Sequence, residues 1–395
     1  MSRQDFKTIE NALKIAYLPA WDNQIGITPS PFIASIAKET LTGGKEIYSA
    51  ANIGLSGGFG FGAEGTNNAP DAGAQRVDGF KIPICDMYTT IEISDKAIRL
   101  SQGESLVNAF DTEMSAAYAA AEWNVGRSAF GDGTGKLATV TAAGSALENN
   151  KTTVTVNDST FLKEGLIIDV YSGSTKMGKG RIVDINRAEN KVTLSKLSES
   201  FTAPEEDSFF TVQNSYGREL TGLGAIINGE SVYGLKKSEN SYLKPVTKDC
   251  GGQGINDIVI NAALREAERE KNSKVNMLLF GDEAYDAYVT YLRETNQRTE
   301  NSLELAGGFK AIKHSYGSVD VAVVSEQFVP KGEVWGVDTN NFMFKKTEWD
   351  FVTKDGSAFE RISGSSNLQA LLASYGNIVC KNPGGCIKIH NLKNA

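Results

Sequence analysis

The sequence predicts an α+β chain with a small all-β unit set into it, and three observations predict this. Residues 104–130 carry apolar side chains at three- and four-residue spacing, the mark of an amphipathic helix. Residues 138–216 switch to valine, isoleucine and threonine alternating with polar residues, the mark of short strands. From residue 254 helical spacing returns and alternates with short apolar runs, so the β-rich stretch interrupts a mixed architecture and does not end it.

Residues 1–45 read as an N-terminal arm. A short helix is expected over Phe6–Leu18, stopped by Pro19, and Pro29 and Pro31 break any regular structure between Asp22 and that point. A second short helix is expected over Phe32–Thr40, with Ser30 as N-cap and Pro31 in its first position, ending at Gly43–Gly44. Residues 46–100 have strands at Phe80–Ile84 and Thr89–Ile93 and a middle, GLSGGFGFGAEGTNNAPDAGAQ, with few large apolar side chains. Such a two-stranded loop buries little surface alone and needs a partner.

Residues 101–137 hold the long helix and its terminating turn. Leu106, Phe110, Met114, Ala117, Ala121 and Val125 share one face, alanines raise helix propensity, and Gly131-Asp132-Gly133 ends the run. About 25 residues at ~1.5 Å each make a rod of roughly 38 Å. Within 138–216, five strands are expected around Thr153–Val156, Leu166–Tyr171, Arg181–Ile185, Lys191–Leu194 and Phe209–Val212, with a hairpin turning at Ala188-Glu189-Asn190. Residues 217–345 come next. Ile255, Ile258, Val259, Ala262, Ala263 and Ala267 suggest one helix face, Val275–Phe280 a strand, and Tyr285, Tyr288, Val289 and Leu292 the face of a second helix from Asp282. Further strands are expected at 319–325 and 333–346, and residues 346–395 close the chain.

Hydrophobic residues at 41% and charged residues at 22% suit a folded core. The formal net charge is -8, and the densest basic pairs are Lys236–Lys237 and Lys345–Lys346, which disfavours sequence-specific nucleic-acid binding. No charged start with an apolar run suggests a secretory signal, and no apolar stretch suits a bilayer, so the chain reads as cytoplasmic when made, with no membrane partner. Cys85, Cys250, Cys380 and Cys386 form no C-x-x-C pair, and His314 and His390 are the two histidines. Inert thiols are expected, with no metal and no cofactor.

Three motifs tempt and lack their context. Gly60-x-Gly62-x-x-Gly65 matches a dinucleotide fingerprint, but Thr66-Asn67-Asn68-Ala69-Pro70 does not open a helix. Gly54-x-Ser56-x-Gly58 matches a nucleophile elbow without a following helix; a hydrolase would have to pair Ser56 with His314 or His390. Gly131-Asp132-Gly133-Thr134-Gly135-Lys136 has the wrong spacing for a phosphate loop and ends a helix instead of starting one. No catalytic residue is assigned.

The order of these features carries a resemblance. GFGAEGTNNAPDAGAQRVDGFKIP (60–83), DMYTTIEISDKAI (86–98), SLVNAFDTEMSAAYAAAEWNVGRSAFGDGTG (105–135), GRELTGLGAIIN (217–228) and SNLQALLASYGNIVCKNPGGCIKI (366–389) together resemble the major capsid proteins of tailed double-stranded DNA bacteriophages. The resemblance spans most of the chain outside 138–216. It implies a Hong Kong 97-type fold: N-arm (1–45), extended loop with peripheral-domain strands (46–100), spine helix (101–137), axial domain with a peripheral return (217–345) and closing segments (346–395). Residues 138–216 resemble the inserted β domain of some members.

As an expectation, the chain is a structural subunit of an icosahedral head. It would assemble with itself as hexamers and pentamers and enclose double-stranded DNA without reading its sequence. The resemblance also implies a separate scaffolding protein, a portal, and head-completion or decoration proteins as partners. Phe59, Phe61, Glu64 and Arg76 of the extended loop are the candidate intersubunit contacts. Some members cross-link subunits through a loop lysine, but no lysine lies between Lys45 and Lys81, so that chemistry is not expected here. The alternatives are an encapsulin-like protein nanocompartment shell, which shares the fold, and a sugar-binding surface protein using the β unit.

Overall fold

The computed structural model describes residues 30–52, 58–61, 71, 73, 77–94, 104–295, 302–317, 319–353, 359–362, 364 and 367–393. The helix expected over Phe6–Leu18 lies outside the described residues.

Helix α1 (Pro31–Ser35) starts as expected: the Phe32 N–H donates to Ser30 Oγ (3.1 Å), and Pro31 fills the first position. It stops after five residues. The expected extension to Thr40 is instead a strand, Ala37–Thr40, which runs parallel to Phe342–Lys346 with Lys38 opposite Phe344. Its four side chains are all exposed, so a helix there would have no face to bury, and the distant strand satisfies the backbone instead.

Helix α2 (Glu104–Phe130) is 27 residues long, about 40 Å. Met114, Ala117, Ala121 and Val125 are buried along one side, as the spacing predicts. They pack over a six-stranded sheet whose centre is the 13-residue strand Leu368–Cys380. On one edge that strand pairs with Cys85–Ile93; on the other it pairs in turn with Phe342–Lys346, Asp350–Phe351 and Phe359–Arg361. Phe32 joins this core edge-on to Phe130 (5.8 Å) and Phe342 (5.2 Å).

The β-rich stretch forms a closed barrel of six strands: Lys136–Ala142, Lys151–Val156, Ile167–Ser172, Thr175–Asn186, Lys191–Lys196 and Phe209–Val212. The unanticipated sixth strand, Lys136–Ala142, is recruited because Phe209–Val212 needs a second neighbour to close the ring. The expected hairpin is present, with Asn186 opposite Lys191. Val140, Val154, Ile168, Val170, Val192, Leu194 and Phe210 fill the barrel with its own core. The two ends of the barrel chain lie together, since the Gly217 N–H donates to Thr134 O (2.8 Å).

A mixed seven-stranded sheet completes the fold, in the order Val246–Asp249, Ile387–His390, Val334–Val337, Met277–Phe280, Val319–Ser325, Lys310–Tyr316, Ser302–Glu304. After the short helix α3 (Leu223–Ile227), helices α4 (Asp257–Lys271) and α5 (Asp282–Glu294) pack on this sheet. Asn256 caps α4 through its side chain. The core face of α4 is Ile260, Ala263, Leu264 and Ala267; Ile258, expected on it, is 78% exposed, and Ala262 is exposed too. At ~100° per residue Ile258 stands about 200° around the helix from Ile260, and Ala262, four residues on from Ile258, shares that outward side.

Candidate interaction surfaces

Among the described residues, strands Glu46–Asn52 and Val77–Pro83 pair only with each other, Glu46 opposite Pro83 and Asn52 opposite Val77. The core of this hairpin is at its base. Ile47, Phe80 and Ile82 are buried in the body, and the Phe80 ring lies 5.7 Å from that of Tyr233. Between them Tyr48, opposite Lys81, points to the other face of the ribbon and is exposed. In the connecting loop Phe59 and Phe61 are 78% and 95% exposed and meet edge-on, their ring centroids 5.2 Å apart. Two phenyl rings held in water are an unspent driving force of ~1.5–3 kcal/mol each on full burial. Glu64 and Arg76, the other two candidate contacts, lie outside the described residues, as does Ser56 of the elbow motif.

The hairpin is anchored by a buried polar knot. Asn377, on the central strand, donates through Nδ2 to Pro83 O (2.9 Å) and to Thr221 Oγ1 (3.3 Å). Its Oδ1 accepts from the Thr221 N–H (2.9 Å). The Cys85 thiol donates to Glu219 O (3.1 Å). The Glu219 carboxylate in turn accepts two hydrogen bonds from the Arg127 guanidinium, at 2.8 and 2.6 Å, in a pair 3% and 7% exposed. Hairpin, helix α2, the 219–221 segment and the central strand therefore meet at one point. Asn377 and the Arg127–Glu219 pair were not anticipated; the partners stand 92 residues apart, and nothing local to either marks the other.

The turn expected at 131–135 closes against the same returning segment. Asp132 Oδ1 accepts from the Thr134 N–H (2.9 Å) and hydroxyl (2.6 Å). Gly222 touches the end of α2 so closely that a Cβ there would stand 2.4 Å from Ala129 O.

Tyr171, half-buried at the rim of the barrel, stacks on Phe209 (5.6 Å, 10°) and meets Tyr216 (4.8 Å). Lys136 Nζ sits 4.4 Å from the Phe209 ring centre, a cation–π contact.

The titratable groups of the interior are tied into the structure. His314 lies between Asn261 Oδ1 (2.9 Å) and the Tyr288 hydroxyl (3.2 Å), and burial holds its pKa below the usual value against the opposing pull of Asp257. Burial, helped by Asp86 and Glu219, pushes the Cys85 thiol up to about 11. Burial also raises Cys250 and Cys380, so these three are neutral thiols at neutral pH. Lys237 caps the carboxyl end of α3 by donating to Ile226 O (2.5 Å), and burial lowers it to about 8. Among the described residues no helix is long and apolar enough to cross a membrane.

No protein-family model and no curated protein matches the sequence. Solved structures do. The chain superposes on a chain of the cyanophage A-1(L) capsid asymmetric unit with a TM-score of 0.52 at 8% identity, covering 94% of this chain and 93% of that one. It also aligns with the capsid of an empty GTA particle (TM-score 0.49, 9% identity, 92% and 90% covered). A further alignment is with the SrpI encapsulin of Synechococcus elongatus (0.42, 8%, 90% and 85%). The last two superpositions are weaker, and the fold assignment rests on the first alone. That one runs over nearly the whole of both chains, and the protein thus has the α+β fold of a phage capsid subunit.

Proposed function

We infer that this protein is the shell-forming subunit of an icosahedral phage head, assembling as hexamers and pentamers around double-stranded DNA, with a structural and not a catalytic role. The observation that carries this reading is the near full-length match to the cyanophage capsid chain. The hairpin supports it independently: a two-stranded ribbon with its core at the base, tipped with paired exposed phenyl rings, is built to be covered by another chain. We assign Phe59 and Phe61, with Glu64 and Arg76, to the contact of this loop with a neighbouring copy. The net charge of -8 suits a wall that encloses DNA without gripping it. The barrel, whose two ends meet beside Thr134 and Gly217, suits an insertion into the capsid fold between the spine helix and its return. Scaffolding, portal and head-completion or decoration proteins are the partners this role requires.

Sedimentation velocity with negative-stain microscopy tests the reading on the purified chain, alone and with its candidate scaffolding protein. Closed shells, tubes or separate hexamers and pentamers are the expected products. A stable monomer under all these conditions overturns it.

A further inference from the structure

We propose that the outer face of the barrel docks on the open face of the six-stranded sheet of a second copy of this chain. The inference rests on the reading that the chain assembles with itself.

The barrel supplies the basic side. In strand Thr175–Asn186, Gly178 and Gly180 face the interior, where Phe201 fills the space a Cβ would need, and Ile182 joins the core. Alternation and a bulge then turn Lys176, Lys179 and Arg181 outward in a column. The fully buried Asp169 takes Lys176 (2.5 Å). Among the described residues Lys179 and Arg181 make no ion pair; Arg181 donates from Nε to Gly165 O (3.3 Å). Asp184, farther along the strand past a second bulge, pairs with neither. Aliphatic side chains stand exposed among these charges: Ile167 opposite Arg181, and Leu197, whose N–H donates to Lys179 O (3.0 Å).

The acidic side is the face of the six-stranded sheet turned away from α2. Ile91 and Leu372 point into the core, so Asp86, Tyr88, Thr90 and Glu92 point away from it. The register lines up Asp350 with Tyr88, both opposite Ala373, and Glu360 with Glu92, both opposite Gln369. Asp86, Glu92, Asp350 and Glu360 are exposed and, among the described residues, no cation pairs with them. Lys345, on the same face, is held by Glu39 (3.0 Å). Tyr88 and Tyr375 meet edge-on here (6.2 Å), and they and Val352 are exposed.

Each face thus joins unpaired charge of one sign to exposed apolar side chains, and the two signs are opposite. Among the described residues no ion pair joins the faces within one chain. A contact between copies brings them together: the charges set the register while the apolar groups leave water. Because the two faces differ, the contact is head-to-tail, and each copy gives one face and receives the other. A nucleic acid suits the basic face less well. Bases stack on free ring faces, whereas Tyr171 and Phe209 stack on each other and Lys136 lies over Phe209.

Particles grown from equal amounts of isotopically light and heavy chains, then treated with a zero-length carbodiimide, test the docking. Cross-links between a light and a heavy copy should join Lys176 or Lys179 to carboxylates of the sheet face, Glu92 and Glu360 among them. Lys179→Glu with Arg181→Glu should raise the concentration needed for assembly at least about tenfold at low salt. Adding Glu92→Lys and Glu360→Lys to that chain should bring assembly back. Light–heavy cross-links that never join these faces overturn the docking and leave the shell reading intact. So does a Lys179→Glu, Arg181→Glu chain that assembles like the wild type, including one that has lost binding to a labelled DNA oligonucleotide, which would give the basic face to nucleic acid. A wild-type chain that stays monomeric removes both readings.

Discussion

Arg127 and Glu219 meet where neither reaches water, and Arg127 Nε already lacks a partner. Glu219→Ala would leave a buried guanidinium with no counter-charge, a loss of about 3–5 kcal/mol. Urea unfolding of the isolated subunit should show that loss as a lower midpoint. His314 makes the second prediction at this scale. Its pKa is lower in the folded protein than in the unfolded chain, so the unfolded chain takes up the proton first as pH falls. The stability His314 contributes is present above about 6.5 and is lost on the acid side of it. His314→Gln should therefore flatten the dependence of the urea midpoint on pH below about 6.5.

At the scale of elements, helix α2 depends on the segment that returns to its end. Gly222 and Gly224 lie against the carbonyls of Ala129 and Phe130, with room for hydrogen and not for carbon. Gly222→Ala should cost roughly 1–3 kcal/mol through overpacking. It should do so with the barrel intact, a difference that circular dichroism and exchange over 136–212 would display. The elements also show what a single sequence can reveal. The face of α2 was legible from Met114, Ala117, Ala121 and Val125 because helical period is local information. The end of α1 was not, because the partner of Lys38 is Phe344, and no spacing around Lys38 announces it. On α4 the period was read but the phase was not; packing of Ile260, Ala263, Leu264 and Ala267 on the distant sheet decides it. Of the candidate contacts, Phe59 and Phe61 stood out as large apolar side chains alternating with glycine. The polar knot around Asn377 could not, since its partners come from four separate stretches of chain.

The whole molecule places one driving force outside itself. The cores around the described residues are complete without the Phe59–Phe61 pair, so replacing both with serine should leave folding unchanged and, on the proposed shell role, stop assembly. Unfolding curves and sedimentation on the Phe59→Ser, Phe61→Ser protein would separate the two effects; normal shells from it would remove these rings from the interface. The long strand Leu368–Cys380 has a further consequence, set by the order in which a ribosome makes the chain. Cys85–Ile93 cannot pair until Leu368–Cys380 exists, and synthesis at 5–20 residues per second separates Ile93 from Leu368 by roughly 14–55 s. The barrel can fold during that wait, but the main sheet cannot, because its central strand is made after every strand that pairs with it. A nascent chain that has not yet reached Leu368 therefore lacks its main sheet, and, on the proposed shell role, crowded nascent copies have no finished surface with which to join one another too soon.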